Sequence, residues 1–316
     1  MTSWTSSTAS SSASLTVHPV PSMGAEDVVV GADGTVWTGT EDGAIWALDP
    51  ATGSTRRVAD TGGRPLGIEI LGDGRLLVCD ARRGLLAVSP GSGEVEVLLD
   101  LVEGRAMRFC NNAAVAADGT IWFSDSSLHF GIADWKDDFV QDTRSGRLLR
   151  RDPDGTVTVV LTGLAFSNGV ALAADESFVC VAECRGRTVV RLWLTGPRAG
   201  RRDHLVTDLP GYPDNISRGS DGLVWVTIAS PIDPVVERLG RAPLALRRLV
   251  TRIPEALQPK PARTIRVQAY DADGRLVHDL DLDHPGYHMV TGVREHDGRV
   301  WMGSLHEPSV AVHDLA

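Results

Sequence analysis

The stretch NNAAVAADGTIW, residues 111–122, joins two short runs of β-strand pattern through an Asp-Gly step. Such a step between two β-patterned runs is a strong signal for a hairpin. The layout occurs five more times in the chain, and five of the six copies have the Asp-Gly step outright. The other copies are EDVVVGADGTVW (26–37), LGIEILGDGRLL (66–77), NGVALAADESFV (168–179), DNISRGSDGLVW (214–225) and VTGVREHDGRVW (290–301).

A second β-patterned pair follows these hairpins, as in residues 44–60 and 85–100. Each repeat unit therefore has about four strands, which is typical of a propeller blade. Six units close a ring. We predict an all-β protein in which residues 15–316 form a single six-bladed β-propeller.

One segment, residues 231–262, departs from the repeat and predicts a helical insertion between the fifth and sixth blades. Asp233 and Pro234 suit the N-cap and first turn of a helix. Apolar residues then recur at the spacing of an amphipathic helix, at Leu246, Leu249, Val250, Ile253 and Leu257. The insertion is either a cap packed beside the ring or a rim that gates the channel or touches a membrane surface.

Composition narrows the partners of this protein. The 316 residues carry a net charge of −10, which argues against nucleic acid or anionic membrane as the main partner and favours a small molecule. The first fourteen residues are rich in Ser and Thr, which predicts a disordered tail rather than a secretory signal. No transmembrane segment is expected, because no run of eighteen apolar residues exists. The four cysteines show no paired CxxC motif, so buried thiols in a cytoplasmic protein are expected.

A ring of oxygen-bearing side chains follows from the repeat. The innermost strand of each blade lines the propeller axis, so equal offsets from equivalent turns fall at one height in the channel. In each repeat, one position lies seven residues before the Asp of the hairpin turn. All four Asn residues of the chain lie at this position or at the residue that directly follows it. The six positions are Glu26, Leu66, Asn111, Asn168, Asp214 and Val290.

Two carboxylates and several amide oxygens, without His or Cys, make a hard oxygen site. We predict a divalent cation held by Glu26, Asn111, Asn168 and Asp214, because buried carboxylates side by side are costly without one. Ca²⁺ is favoured, Mg²⁺ and Mn²⁺ are alternatives, and Zn²⁺ is less natural. Asn112 and Asn215 directly follow two of these positions. They orient the ligands or add to them, and we assign Asn215 to the metal and Asn112 to substrate binding.

A channel cation with open coordination positions suits hydrolysis, because it polarises a carbonyl or phosphoryl oxygen. Asp214 is then the general base or the nucleophile. A purely structural cation is the alternative. His129 is a candidate proton shuttle, although a lone His is commonly structural or exposed, as are His288 and His306 near the last blade. Arg108 is placed to bind an anionic substrate group or to form a salt bridge between blades.

Several segments carry a resemblance to a known family. They are FSNGVALAADESFVCVAE (166–183), RTVVRLWLTGPRAG (187–200), DLPGYPDNI (208–216) and EHDGRVWMGSLHEPSVAVHDL (295–315). The chain resembles strictosidine-synthase-like proteins, within the broader group of gluconolactonase, regucalcin, diisopropylfluorophosphatase and paraoxonase. The resemblance implies a six-bladed propeller and, in the metal-dependent hydrolases, calcium held by residues matching Glu26, Asn111, Asn168 and Asp214. It also implies lactone, aryl-ester or phosphotriester hydrolysis.

True strictosidine synthase is similar in fold but is metal-free and uses a Glu on the sixth blade. In this sequence that Glu aligns with Thr291, and a neighbouring His aligns with Met289. Both are absent here, which favours the hydrolase branch. We therefore predict a metal-dependent lactonase or esterase, with a synthase or cyclase of specialised metabolism and a non-catalytic propeller as the alternatives.

Overall fold

The computed structural model describes residues 15–253 and 262–315. Six four-stranded antiparallel sheets stand as blades around one axis, which confirms the predicted six-bladed β-propeller. The predicted disordered tail at residues 1–14 lies outside the described residues, and so does Leu257.

The strands follow one another outward from the axis in each blade. The first two blades comprise Val28–Val30, Val36–Gly39, Ala44–Asp49 and Ser54–Asp60, then Pro65–Ile70, Leu76–Asp80, Gly84–Val88 and Val95–Leu99. The third and fourth comprise Cys110–Val115, Ile121–Asp125, Gly146–Arg151 and Val157–Leu164, then Ser167–Leu172, Phe178–Glu183, Thr188–Trp193 and Arg202–Val206. The fifth comprises Gly211–Arg218, Val224–Pro231, Ile265–Tyr270 and Leu276–Leu282. A small hairpin, Leu101–Val102 with Arg105–Ala106, precedes the third blade.

The sixth blade closes the ring, because its strands come from both ends of the chain. Val290–His296, Arg299–Ser304 and Ser309–Asp314 are joined by the N-terminal strand Thr16–Pro19 as the outermost strand. Thr16 pairs with Val312 in an antiparallel register. Unfolding either end therefore removes part of the same sheet.

The hydrophobic core is divided among the interfaces between blades. Six clusters of buried apolar residues each join two neighbouring sheets, so every blade packs on both sides. Four of the six repeats end in Trp, and three of these residues, Trp122, Trp225 and Trp301, are buried in these clusters. The four cysteines are also buried and free, as expected from the sequence.

The repeat turns lie at the end of the blades remote from the inner-strand starts. In five turns the Asp side chain accepts a hydrogen bond from the backbone N–H two residues later, as from Thr120 to Asp118 over 2.9 Å. The sixth turn is tighter, because His296 pairs with Arg299 and leaves only Asp297 and Gly298 between them, both at positive φ.

The helices lie at the opposite end of the propeller, between second and third strands. Helix α1, Trp135–Gln141, preceded by a 3₁₀ turn at Ile132–Asp134, belongs to the third blade. A further 3₁₀ turn covers Gly196–Arg198. The predicted insertion contains helices α2, Pro234–Gly240, and α3, Leu244–Val250. Its position is refined: it interrupts the fifth blade between the second and third strands, before the sixth blade begins.

Asp233 caps helix α2 as the sequence predicts, since its side chain accepts from the backbone N–H groups of Val235 and Val236. The apolar positions of the insertion are largely exposed, with Leu249 61% and Leu246 48% exposed. Among the described residues, no helix has the length and apolar character needed to cross a bilayer.

Candidate metal centre

A β-bulge at the start of the inner strand turns two consecutive residues toward the axis in five of the blades. In the third blade, Cys110 pairs with Asp125 and Ala113 with Phe123, so Asn111 and Asn112 together face one residue of the second strand. Equivalent register shifts occur in the second, fourth, fifth and sixth blades. Bulges of this kind re-aim side chains at functional sites.

The positions seven residues before each turn Asp lie in one ring, except in the sixth blade. In the sixth blade the bulge contains Thr291 and Gly292, so Thr291 rather than Val290 is equivalent to Asn111. The cause is the tighter turn at Asp297, which shortens the offset by one residue. Thr291 is buried, and its hydroxyl donates to the backbone carbonyl of Glu26 over 2.9 Å.

The structure brings the acidic and amide members of the ring together. Asn215 donates from its side-chain nitrogen to Glu26 Oε1 over 3.1 Å, although the two residues belong to the fifth and first blades. Burial raises the pKa of Asp214, and a side-chain hydrogen bond from Asn168 on the neighbouring blade partly offsets that rise. The side-chain nitrogen of Asn111 donates to Ser126 Oγ over 2.9 Å, which turns the amide oxygen the other way.

Four buried oxygen atoms at the channel axis have no hydrogen-bond partner among the described residues. They are Glu26 Oε2, Asn111 Oδ1, Asn168 Oδ1 and Asn215 Oδ1. A buried polar atom left without a partner costs about 1–3 kcal/mol, so four of them in one place call for a ligand. A cation that accepts oxygen ligands would satisfy all four at once.

The buried carboxyl groups of the ring favour the binding of a positively charged ion. Burial, with the nearby charges of Asp214 and Asp27, raises the pKa of Glu26 well above its usual range. Burial also raises the pKa of Asp214 and that of Asp27 to about 7. Arg64 is buried beside Glu26, and its charge only partly offsets this effect. A divalent cation would stabilise the ionised carboxylates.

The donor set fits a hard cation. No group of three or more His, Cys, Asp or Glu side chains suited to a metal occurs in the described parts of the chain, so amide oxygens must complete any site here. Glu26, Asn111, Asn168 and Asp214, with Asn215 beside them, supply carboxylate and amide oxygens, the ligands that Ca²⁺ prefers. Which of these atoms bind a cation stays a prediction.

The residues that directly follow the first ring's positions form another ring, in which polar residues alternate with glycine. Each glycine lies against the next blade: a Cβ on Gly169 would meet Ile216 N at 2.0 Å, and one on Gly67 would meet the Asn112 Cα at 2.6 Å. Gly292 lies equally close to Asp27. The glycines therefore let neighbouring inner strands approach closely. The polar members are Asp27, Asn112 and Asn215.

Asn112, assigned to substrate binding from the sequence, has both of its polar atoms engaged inside the protein. Its nitrogen donates to Asp27 Oδ2 over 3.2 Å, and its oxygen accepts from Val170 N over 2.8 Å. It thereby ties the first, third and fourth blades together. The geometry gives Asn112 a bridging role instead of an open face toward a substrate.

Three residues of the site were missed by the sequence reasoning. Asp27 and Arg64 add charge beside Glu26, and the buried Cys184 Sγ lies 3.4 Å from the side-chain nitrogen of Asn168. Asp27 had a readable signal, since it directly follows Glu26 as Asn112 follows Asn111. The other two come from loops with no repeat pattern.

An apolar cluster covers the channel above the ring. It combines residues of the second to fifth blades and of the helices, so it forms a water-poor approach to the site. Its buried members are Leu66, Ala81, Phe109, Phe139, Phe166, Cys184 and Tyr212. Tyr212 Oη donates to Glu237 Oε1 over 3.0 Å and thereby ties helix α2 to this cluster.

The remaining candidates lie at the same end of the propeller. His129 is exposed on the loop before helix α1, beside Phe130, and its ring has no hydrogen bond to any residue that the structure describes. Arg108 is exposed and lines an open pocket. Nδ1 of His288 contacts Glu307, and the rings of His288 and His306 lie 5.7 Å apart.

Comparison with known sequences defines the class of protein. A family model described as "SMP-30/Gluconolactonase/LRE-like region" matches residues 41–236, and a second, "Strictosidine synthase-like, N-terminal", matches residues 16–48. The chain belongs to the SMP-30/gluconolactonase/LRE-like family, with a strictosidine synthase-like N-terminal segment.

Two relatives show how widely this sequence pattern occurs. The chain is 34% identical over 265 residues to Protein STRICTOSIDINE SYNTHASE-LIKE 10 of Arabidopsis thaliana, covering 80% of this chain and 70% of that protein. It is 32% identical over 323 residues to the adipocyte plasma membrane-associated protein of Salmo salar, covering 92% of this chain and 77% of that protein.

Solved structures agree on the fold. A gluconolactonase from Xanthomonas campestris superposes with a TM-score of 0.70 at 16% identity, covering 96% of this chain and 89% of that one. The calcium-binding protein regucalcin from Agrobacterium tumefaciens superposes with a TM-score of 0.66 at 14% identity, covering 94% and 91%. The chain therefore has the gluconolactonase-like propeller fold.

Proposed function

We propose that this protein is a divalent-metal-dependent hydrolase of a lactone or related ester. The observation that carries the proposal is the set of four buried, unpartnered oxygen atoms on Glu26, Asn111, Asn168 and Asn215 at the channel axis. The gluconolactonase-like fold supports a hydrolase. The calcium-binding neighbour supports Ca²⁺ as the cation.

The residues of the ring have separable roles in this proposal. A cation held by Glu26, Asn111, Asn168 and Asp214 would polarise the substrate carbonyl and stabilise negative charge on its oxygen. Asp214 is half-buried, unlike its fully buried neighbours, and faces the channel as the group that takes a proton from water or attacks the carbonyl. The apolar cluster around Phe109 and Tyr212 excludes bulk water above it.

A synthase that joins an amine to an aldehyde is disfavoured by the sixth blade. The ring position there holds Thr291, whose hydroxyl is committed to the Glu26 carbonyl. It supplies no carboxylate for such a reaction.

The test combines metal analysis with turnover. Purified protein is expected to hold one Ca²⁺ per chain and to hydrolyse members of a panel of small-molecule lactones, aryl esters and phosphotriesters. Glu26→Gln should lose both the cation and the turnover, while Asp214→Asn should lose turnover by a larger factor than its loss of metal affinity. Circular dichroism and the melting temperature check that both variants fold.

Other outcomes would overturn the proposal. Loss of Ca²⁺ that lowers the melting temperature, with no turnover of any panel member by the loaded protein, would make the cation structural. Full turnover by Asp214→Asn at unchanged metal content would remove Asp214 from the chemistry. A product that incorporates an added amine would identify a synthase.

A further inference from the structure

An open pocket of about 790 Å³ lies beside the channel mouth, between the second and third blades. Its walls come from the loop after Asp80, the hairpin that contains Arg105 and the loop before helix α1. Met107, Leu128 and Ile132 supply much of its apolar lining. The volume is in the range of pockets that hold small molecules.

The pocket concentrates unpaired positive charge. Arg82, Arg105 and Arg108 line it, and their side chains make no hydrogen bond or ion pair within residues 15–253 and 262–315. A fourth arginine of the lining, Arg147, is already bonded to Asp125. Glu103 is the carboxylate in this lining. Three unpaired guanidinium groups around one pocket, in a chain of net charge −10, form an anion-binding environment.

The pocket is continuous with the approach to the metal centre. Ala81 and Ile132 line the pocket and also belong to the apolar cluster above the ring. Arg108 precedes Asn111 by three residues, so their backbones lie at most about 11 Å apart. One elongated molecule can therefore contact both places.

We infer that this pocket binds the anionic end of the substrate. The substrate class is a lactone or ester that carries a carboxylate or phosphate group, joined by an apolar segment to the reacting carbonyl. The anionic group pairs with Arg82, Arg105 and Arg108, and the apolar segment packs on Met107 and Ile132. This inference rests on the proposed function for the reacting end of the molecule.

Binding of non-reacting probes tests the pocket apart from catalysis. Octanoate, octyl phosphate and octanol are titrated by calorimetry into the full-length protein. Both anions should bind at least about tenfold more tightly than octanol, because charge-assisted hydrogen bonds contribute about 1.5–3 kcal/mol. The tighter of the two anions identifies the carboxylate or the phosphate as the group recognised.

Variants locate the binding. The triple substitution Arg82→Gln, Arg105→Gln and Arg108→Gln should weaken binding of both anions at least about tenfold and leave octanol unchanged. Arg201→Gln, at an exposed arginine on the fourth blade, is the matched control and should bind as the wild type does. All three pocket residues are exposed, so the triple variant is expected to fold, which its melting temperature checks.

The result separates this inference from the proposed function. Equal affinity for octanol and octanoate, or wild-type anion binding by the triple variant, overturns the anion pocket even if lactones are hydrolysed. The same titrations in Glu26→Gln should retain anion binding. If anion binding is lost only in the triple variant and the protein hydrolyses no panel member, the anion pocket is supported and the proposed hydrolase function is refuted.

Discussion

Asn215 and Glu26 are 189 positions apart in the sequence, yet the Asn215 side-chain nitrogen donates to Glu26 Oε1 over 3.1 Å. The bond joins the fifth and first blades at the axis. It occupies one carboxylate oxygen of Glu26 and leaves the other, Oε2, without a partner and facing the ring. Asn215 thereby sets the orientation of the carboxylate that we assign to the cation.

Replacing Asn215 tests that orientation. Asn215→Ala should weaken Ca²⁺ binding by about 10-fold to 100-fold, because groups that orient metal ligands typically have effects of this size. Calorimetric titration of the metal-free protein measures the change. Thr52→Ala, in an exposed turn of the first blade, serves as the control. Unchanged affinity in Asn215→Ala would show that the bond to Glu26 does not prepare the site.

The stability of the metal-free protein should depend on pH in a defined direction. Burial raises the pKa of Asp214 to about 7 and that of Glu26 well above its usual range. Carboxyl groups with a higher pKa in the folded chain than in the unfolded chain hold protons more tightly when folded. Their contribution to stability is full below about pH 4 and is lost as pH rises through about 7 and above.

Chelated protein should therefore melt at a lower temperature at about pH 8 than at about pH 5, and added Ca²⁺ should remove most of this difference. Thermal melts across that range measure it. Glu26→Gln carries no titrating group at its position, so the melting temperature of its chelated form should fall less between about pH 5 and about pH 8. A wild-type melting temperature that rises from pH 5 to pH 8 after chelation would contradict the assignment.

The fold was predictable because its signal is local and repeated. Five of the six hairpins have an Asp-Gly turn, all six have the flanking β pattern, and six copies leave little choice of architecture. Counting back from the turns also found Asn111, Asn168 and Asp214, since bulges in equivalent strands keep equivalent offsets. The same count gave Glu26, although the first blade has no such bulge in the pairing described. The count failed in the sixth blade, where a tighter turn moved the ring position to Thr291.

Other parts of the site had no such local signal. Arg64 and Cys184 lie in loops, and only the closed ring places them beside Glu26 and Asn168. The free arginines of the side pocket were equally hidden, apart from Arg108. The helical insertion was predicted from its periodicity, but its position inside the fifth blade depends on the strand that follows it, Ile265–Tyr270.

Gly169 offers a test of the close packing around the axis. A Cβ at this residue would meet Ile216 N at 2.0 Å and the Asn215 Cα at 2.6 Å, so Gly169→Ala must push the fourth and fifth blades apart. We expect a loss of about 1–3 kcal/mol in the free energy of unfolding and weaker Ca²⁺ binding. Urea unfolding and calorimetry measure the two effects.

Gly72→Ala is the matched control, because a Cβ at Gly72 meets nothing within 4 Å and its backbone φ is not positive. It should change stability by less than about 0.5 kcal/mol. Equal stability of the two alanine variants would mean that the inner strands can separate without cost.

Asp125 and Arg147 form a buried ion pair between the second and third strands of the third blade. Asp125 also accepts from Phe109 N over 3.1 Å, so the pair supports the segment leading to Asn111. Asp125→Asn keeps that acceptor but leaves Arg147 buried and unpaired. It should lower the free energy of unfolding by about 3–5 kcal/mol in urea denaturation. Adding Arg147→Met should recover part of the loss, since no buried charge then lacks a partner. A double variant less stable than Asp125→Asn alone would show that Arg147 stabilises the blade by its own packing, independently of the charge of Asp125.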